Sequence, residues 1–170
     1  MVAAGTGSRE ILRSVGLDVP TELVKQEMLA TEPLRFFLGP MIQEYPDGIS
    51  FTQSLRGEIV CELPTTGKEV RKDNSTTLEF LEKAAAELIR FMPALRDVKV
   101  LRPWAGLVET TRDCEPVVGR CVYDNLWVAF ADSGKGVMFA PVIGELMAEQ
   151  IMTGPTNPDL ETYSPARLLR

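Results

Sequence analysis

The sequence contains no histidine. That removes the commonest general base, the commonest metal ligand and every Ser-His or Cys-His nucleophile arrangement. Chemistry here must come from a cofactor, or from Lys, Arg, Tyr and carboxylates. Cysteine is scarce. Cys61, Cys114 and Cys121 are odd in number and form no C-x-x-C, which suits neither a disulfide framework nor a zinc site. They read as buried, reduced thiols of a cytoplasmic protein. No apolar run approaches the roughly 18–20 residues of a membrane span, and the N-terminus lacks the charged-then-apolar layout of a secretory signal, so membrane association is not expected. Positive charge is also in deficit. A net charge of −6 without a dense Lys/Arg patch argues against nucleic acid as a partner.

What is present is enough for one packed core: 170 residues, 45% of them hydrophobic and 25% charged. The organising stretch is Leu126-Trp127-Val128-Ala129-Phe130-Ala131, six apolar residues that read as a strand buried on both faces. Asp132-Ser133-Gly134-Lys135-Gly136 follows as a turn, and residues 137–152 continue as an apolar-periodic helix that stops at Gly154-Pro155. Strand, glycine turn and helix start together aim free N–H groups and a positive helix end at an electron-rich ligand. Gly134 and Gly136 leave the backbone open to close approach. An ordinary connection that needs glycine for its turn has the same pattern.

Elsewhere, Met1 to Gly7 reads as the end of a buried strand running into a glycine turn. Ser8 is placed to cap a short helix with Ile11, Leu12 and Val15 inward and Gly16 as its stop. Residues 23–31 form a strand. Ile49, Phe51 and Gln53 alternate with Ser50, Thr52 and Ser54, and a turn at 54–57 leads into a second strand over 58–63, giving an antiparallel platform. Residues 65–74 are a polar surface loop. Thr76-x-x-Glu79 is a capping-box pattern for a helix with Leu78, Leu81, Ala85, Leu88 and Met92 inward and a Glu79/Lys83 pair outside. Strand character returns at 98–101, and residues 157–170 carry too few apolar side chains for a core of their own.

The run Arg102-Pro103-Trp104-Ala105-Gly106-Leu107, followed by Thr111-Arg112-Asp113, Pro116-Val117-Val118-Gly119 and Asp132-Ser133-Gly134-Lys135-Gly136-Val137-Met138, resembles a known C-terminal pattern. It is similar to that of the FAD-dependent amine and amino-acid oxidoreductases: D-amino-acid oxidase, glycine oxidase, sarcosine oxidase and the dye-linked proline dehydrogenases. Their order is W-A-G-L, then T-P-D with P-hh-G, then an S-G-H-G turn opening the last long helix. Ala3-Ala4-Gly5-Thr6-Gly7-Ser8 resembles the family's second pass by the FAD, and Gln53-Ser54-Leu55-Arg56-Gly57-Glu58-Ile59 looks most like the β subunits of hetero-oligomeric members. Asn157-Pro158-Asp159-Leu160 and residues 163–167 fit the closing segment.

The resemblance implies a mixed α+β fold. Residues 1–18 would be the trailing part of an FAD-binding domain, 19–111 an antiparallel-rich substrate-domain sheet with a helix, 112–156 the C-terminal strand–loop–helix of the FAD domain, and 157–170 a surface tail. It implies non-covalent FAD held by Ala4, Gly5, Gly106, Ser133, Gly134, Lys135, Gly136, Val137 and Met138, because Gly106 stands where covalent-flavin relatives use cysteine. It also implies a small amino-acid or amine substrate, for which Arg102, Trp104 and Lys135 are candidate contacts; no residue is assigned a catalytic role. Lys135 stands where many relatives have histidine and is either a fixed cation for a reduced flavin or a solvated loop lysine. Trp104 lies either near the pocket or at a domain interface. Val108 replaces a carboxylate-binding arginine of glycine oxidase, with Arg102 or Arg112 as possible substitutes. The strand matched to 57–62 carries no oxygen-activating lysine, which leans toward a dehydrogenase. The dinucleotide motif G-x-G-x-x-G is absent from these 170 residues. The expectation is therefore the C-terminal portion of a longer or split enzyme, dependent on an N-terminal FAD-binding half or partner subunit and binding FAD weakly or not at all alone. A subunit or remnant without activity is the alternative.

Overall fold

The computed structural model describes residues 1–46, 48–64, 74–154 and 157–169. Most of the expected loop at 65–74 lies outside them. The protein is mixed α+β and divides into two compact units, residues 25–107 and residues 1–24 with 108–170.

The first of these is built on a five-stranded sheet of β1 (Glu22–Thr31), β2 (Ile42–Gln43), β3 (Ser50–Gln53), β4 (Ile59–Glu62) and β5 (Val100–Thr110), in the order β2-β3-β4-β1-β5. The β1/β4, β2/β3 and β3/β4 pairs are antiparallel. Leu29 and Phe51 both face Cys61 across the ladder, so a single register row places three buried side chains on one side of the sheet. Each large apolar side chain in this core contributes about 1.5–3 kcal/mol by leaving water. Gln53, expected inward, is buried and fully satisfied. Its Oε1 accepts the N–H groups of Phe37 and Leu38 at 2.8 and 2.9 Å, and its Nε2 donates to the carbonyls of Arg35 and Gly57. One polar side chain thus ties the 35–38 loop to the β3–β4 turn.

The helix α2 (Leu78–Phe91) covers this core with Phe80, Ala84 and Leu88. Both its start and its face differ from the sequence pattern. Thr77, not Thr76, is the cap, accepting the Phe80 N–H at 3.1 Å, and the reciprocal bond to the Thr77 N–H comes from Glu27 of β1 rather than from Glu79. With the start fixed there, Leu78 is 70% exposed. The bulkier Phe80 takes the inward stripe, and the Glu79–Lys83 pair forms outside at 2.6 Å. The motif of 102–107 does not follow a short strand; it lies within the eleven residues of β5, at the end of the sheet order.

The second unit holds an antiparallel ribbon of β6 (Val117–Arg120) and β7 (Trp127–Phe130). β7 alternates rather than being buried throughout. Val128 and Phe130 join Leu12, Val19, Val117 and Leu168, while Trp127, half-buried, packs with Val118, Met147 and Leu160 on the other side. The expected buried strand at the N-terminus reduces to one residue: Val2 bridges parallel to Val128, with bonds to the Trp127 carbonyl and the Ala129 N–H. Only Leu12 of α1 (Ser8–Ser14) is a buried apolar residue; Ile11 and Val15 are exposed. Ser8 is not the cap. Its hydroxyl turns back to accept the Ala4 N–H at 3.0 Å, bracing the 3-10 turn Gly5–Gly7.

The composition of 157–170 predicts a surface tail, yet this segment is welded into the unit. Leu160 in α4 (Pro158–Glu161) and Leu168 are buried, and the Tyr163 carbonyl accepts the Val118 N–H at 2.9 Å. Arg167 donates to Asp113 at 2.9 and 3.3 Å and to the carbonyls of Tyr163, Ser164 and Glu115. The tail borrows its core from β6 and β7, so its own apolar count is a poor guide. Cys114 is also a correction. Cys61 and Cys121 are buried, but Cys114 sits in the 111–115 turn with φ 57 and its side chain exposed.

Candidate functional site at the start of the long helix

The turn between β7 and α3 (Gly136–Thr153) is shaped by three positive φ values: Ala131 at 56, Ser133 at 54 and Gly134 at 87. The left-handed region is costly for residues with a Cβ, so two non-glycine residues held there need outside support. That support comes from β5. The Ser133 N–H donates to the Glu109 carbonyl at 3.2 Å, and the Ser133 and Thr110 hydroxyls lie 2.9 Å apart. Asp132 caps the turn: Oδ1 accepts the Gly134 N–H and its carbonyl accepts the Lys135 N–H. Gly136 is required by close approach, because a Cβ there would run into the Asp132 carboxylate.

Lys135 is the N-cap residue of α3, and its side chain makes no cap hydrogen bond. Its carbonyl accepts the N–H groups of Met138 and Phe139, whereas those of Gly136 and Val137 have no acceptor among the described residues. These are the donors that a helix start leaves over. The side chains beside them stand open, Val137 at 95% exposure. Gly154, with φ 87, closes the helix where expected.

The structure therefore brings Ser133, Gly134, Lys135, Gly136, Val137 and Met138 into one turn. Ala4 and Gly5 belong to the same unit, where Gly5 adopts φ 53 with open space on its Cβ side. In the other unit, Arg102 stacks on Trp104 with the guanidinium 5.2 Å from the ring centroid, and Gly106 likewise has open space. Arg112 is exposed and donates to the Arg167 carbonyl at 3.4 Å.

Two participants escaped the sequence pattern. Glu109 is 5% exposed, and its Oε1 accepts the Thr21 hydroxyl at 2.6 Å. Burial pushes its carboxyl above the ordinary glutamate range. Strand parity carries little signal here, because Ala105 and Leu107 on the Glu109 face of β5 are half-buried, as are Trp104 and Val108 on the other. Asp113 shifts oppositely. Hydrogen bonds from Arg167 and Thr111 hold it well below the usual carboxylate range. Among the described residues there is no cluster suited to a metal ion, and no helix is long and apolar enough to cross a membrane.

Comparison with known proteins agrees with the motif order. Glycine oxidase from Pseudomonas putida is 25% identical over 166 residues, covering 97% of this chain and 44% of that protein. Sarcosine oxidase subunit beta from Rhizobium meliloti is 25% identical, covering 90% of this chain and 36% of its own length. The crystal structure of L-proline dehydrogenase from P. horikoshii superposes with a TM-score of 0.86 at 30% identity, over 98% of this chain and 46% of that one. The chain thus spans less than half the length of these relatives. Residues 1–150 match the profile of the FAD dependent oxidoreductase family, DAO, and the chain belongs to that family of FAD-dependent oxidoreductases.

Proposed function

We propose that this chain is the portion of an FAD-dependent amine or amino-acid oxidoreductase that caps the flavin and carries the substrate-domain sheet. The observation that carries the reading is the α3 start, where the Gly136 and Val137 N–H groups have no acceptor among the described residues and the Val137 side chain beside them is exposed. Donors at a helix N-terminus fit the N1–C2=O edge of an isoalloxazine. Each hydrogen bond to charge developing there contributes about 1.5–3 kcal/mol, and the Lys135 ammonium adds a positive charge at the same helix end. The donor set suits that edge and not a pyrophosphate, since no G-x-G-x-x-G accompanies it.

When bound, the flavin supplies the hydride acceptor for oxidation of a C–N bond. The residues of this chain do the holding. Ser133 to Met138 bind the pyrimidine edge, and Ala4 and Gly5 of the same unit leave room for the cofactor; by the motif resemblance, Gly106 offers it no covalent link. Arg102 and Trp104 are candidate contacts for the substrate carboxylate and carbon skeleton. Glycine, sarcosine or proline is the expected substrate class by the relatives' names, and the motif resemblance adds a D-amino acid. The complementary dinucleotide-binding half comes from the same polypeptide or from a partner subunit; that one relative is itself a β subunit supports the latter arrangement. A cytoplasmic location agrees with the unpaired thiols. The second reading, a non-catalytic subunit, draws on the lack of G-x-G-x-x-G in these residues.

The test is anaerobic flavin bleaching. The chain is mixed with FAD and a dinucleotide-binding half, and proline, sarcosine, glycine and D-alanine are added in turn. Bleaching by one of them supports the enzyme reading. Tight flavin binding with no bleaching by any amine supports the non-catalytic one.

A further inference from the structure

Glu109 carries a feature that the flavin reading does not use. Its Oε2 is buried with no hydrogen-bond partner among the described residues, and its Oε1 has a single donor, Thr21. The cation that reaches it, Arg9 of α1, is engaged elsewhere: Nε and Nη2 go to Asp18 at 2.7 and 3.2 Å, and Nη1 to the Thr21 carbonyl at 2.7 Å. The other charge facing it is Asp132 in the turn, of the same sign. A buried carboxylate with one donor and no bonded counter-ion is strongly disfavoured, and the neutral acid far less so. Meanwhile the main chain of the same residue holds the turn, since its carbonyl is the acceptor for the Ser133 N–H.

We propose that Glu109 is a positioning residue, kept as the neutral acid, that ties the 133–136 turn to Thr21 and spares the start of α3 a buried negative charge beside that of Asp132. Its functional meaning rests on the flavin reading of that turn; its geometry does not. An ionised Glu109 beside Asp132 would oppose the electron-rich edge that the free N–H groups of Gly136 and Val137 attract. Desolvation dominates the upward shift of its carboxyl, Thr21 and Arg9 pull the other way, and Asp132 adds to the rise. The sign of the linkage follows. Stability from the neutral acid is fully present below the unfolded glutamate value, about 4.3. It is lost as pH climbs through the higher folded value.

The experiment follows backbone amide shifts of Ser133, Gly134 and Gly136 in the isotope-labelled full chain from roughly pH 4 to 8. The wild type is expected to show a titration step above the ordinary carboxylate range. Glu109→Gln should abolish that step, and Thr21→Val, which removes a hydrogen bond that favours the ionised form, should move it to higher pH. A step that persists in Glu109→Gln belongs to another group, and either that result or a wild type with no such step overturns the proposal. If Glu109→Gln does not fold, an unmoved step in Thr21→Val overturns it as well. Adding FAD together with a dinucleotide-binding half to the wild type at fixed pH tests the flavin reading separately. Amides that ignore FAD while the pH step stands would sink that reading and leave the assignment of Glu109 intact.

Discussion

Replacing Arg167 by Ala should detach the closing segment from the turn that leads into β6. The guanidinium is mostly buried and pairs with Asp113 at 2.9 Å. Since the Asp113 side chain is more than a third exposed, solvent screening limits the ion pair to about 0.5–1 kcal/mol. Three carbonyls, of Tyr163, Ser164 and Glu115, also lose their donor. With water able to replace the guanidinium in part, each loss costs about 0.5 kcal/mol. The total is roughly 2–2.5 kcal/mol, or about 4–10 °C in Tm for a chain of this size. The pH dependence is diagnostic. Asp113 is held below its ordinary value mainly by Arg167, so the stability it supplies is present above the unfolded aspartate value of about 3.9 and is lost as pH falls below it. Thermal unfolding of wild type and Arg167→Ala should therefore show the full gap at neutral pH and a narrowing gap in acid. A variant as stable as wild type at neutral pH, or a gap that does not narrow in acid, would refute the reasoning.

Gly57 adopts φ 104, and a Cβ there would strike the Leu34 carbonyl, so Gly57→Ala combines backbone strain with a main-chain collision. The expected loss is about 2–4 kcal/mol, measured by urea unfolding; a near-neutral variant would mean that the 34–57 contact is not as close as described. Thiol labelling of the folded chain should modify Cys114 alone. Burial pushes Cys61 up to about 12 and raises Cys121, and both are covered, whereas Cys114 is exposed. Mass mapping that finds Cys61 labelled without denaturant would contradict the core assignment.

Period-two patterning made the platform readable, because Ile49, Phe51 and Gln53 do point inward and Gly57 does turn the hairpin. Glycine punctuation likewise located both ends of α3. What escaped was tertiary. The capping partner of α2 lies fifty positions away at Glu27, so a local capping box at Thr76 misplaces the start by one residue and rotates the inward face. The tail looked superficial because the apolar surface it buries against belongs to β6 and β7. At the site, the turn itself was legible as glycine between strand and helix. The support beneath it was not, since Glu109 and Thr21 lie far from it in sequence and only the fold brings a strand end under the turn. The Arg102–Trp104 stacking, by contrast, is local, since the two residues are two positions apart on one face of β5.

The proposed role of the α3 start is to receive the pyrimidine edge of a flavin and not a phosphate. Amide spectra of the labelled chain mixed with a dinucleotide-binding half, recorded with FAD, riboflavin and ADP at millimolar concentration, test it most directly. The account predicts that FAD and riboflavin shift Gly136 and Val137 while ADP leaves them in place. Shifts from ADP equal to those from FAD, or none from either flavin, would contradict it.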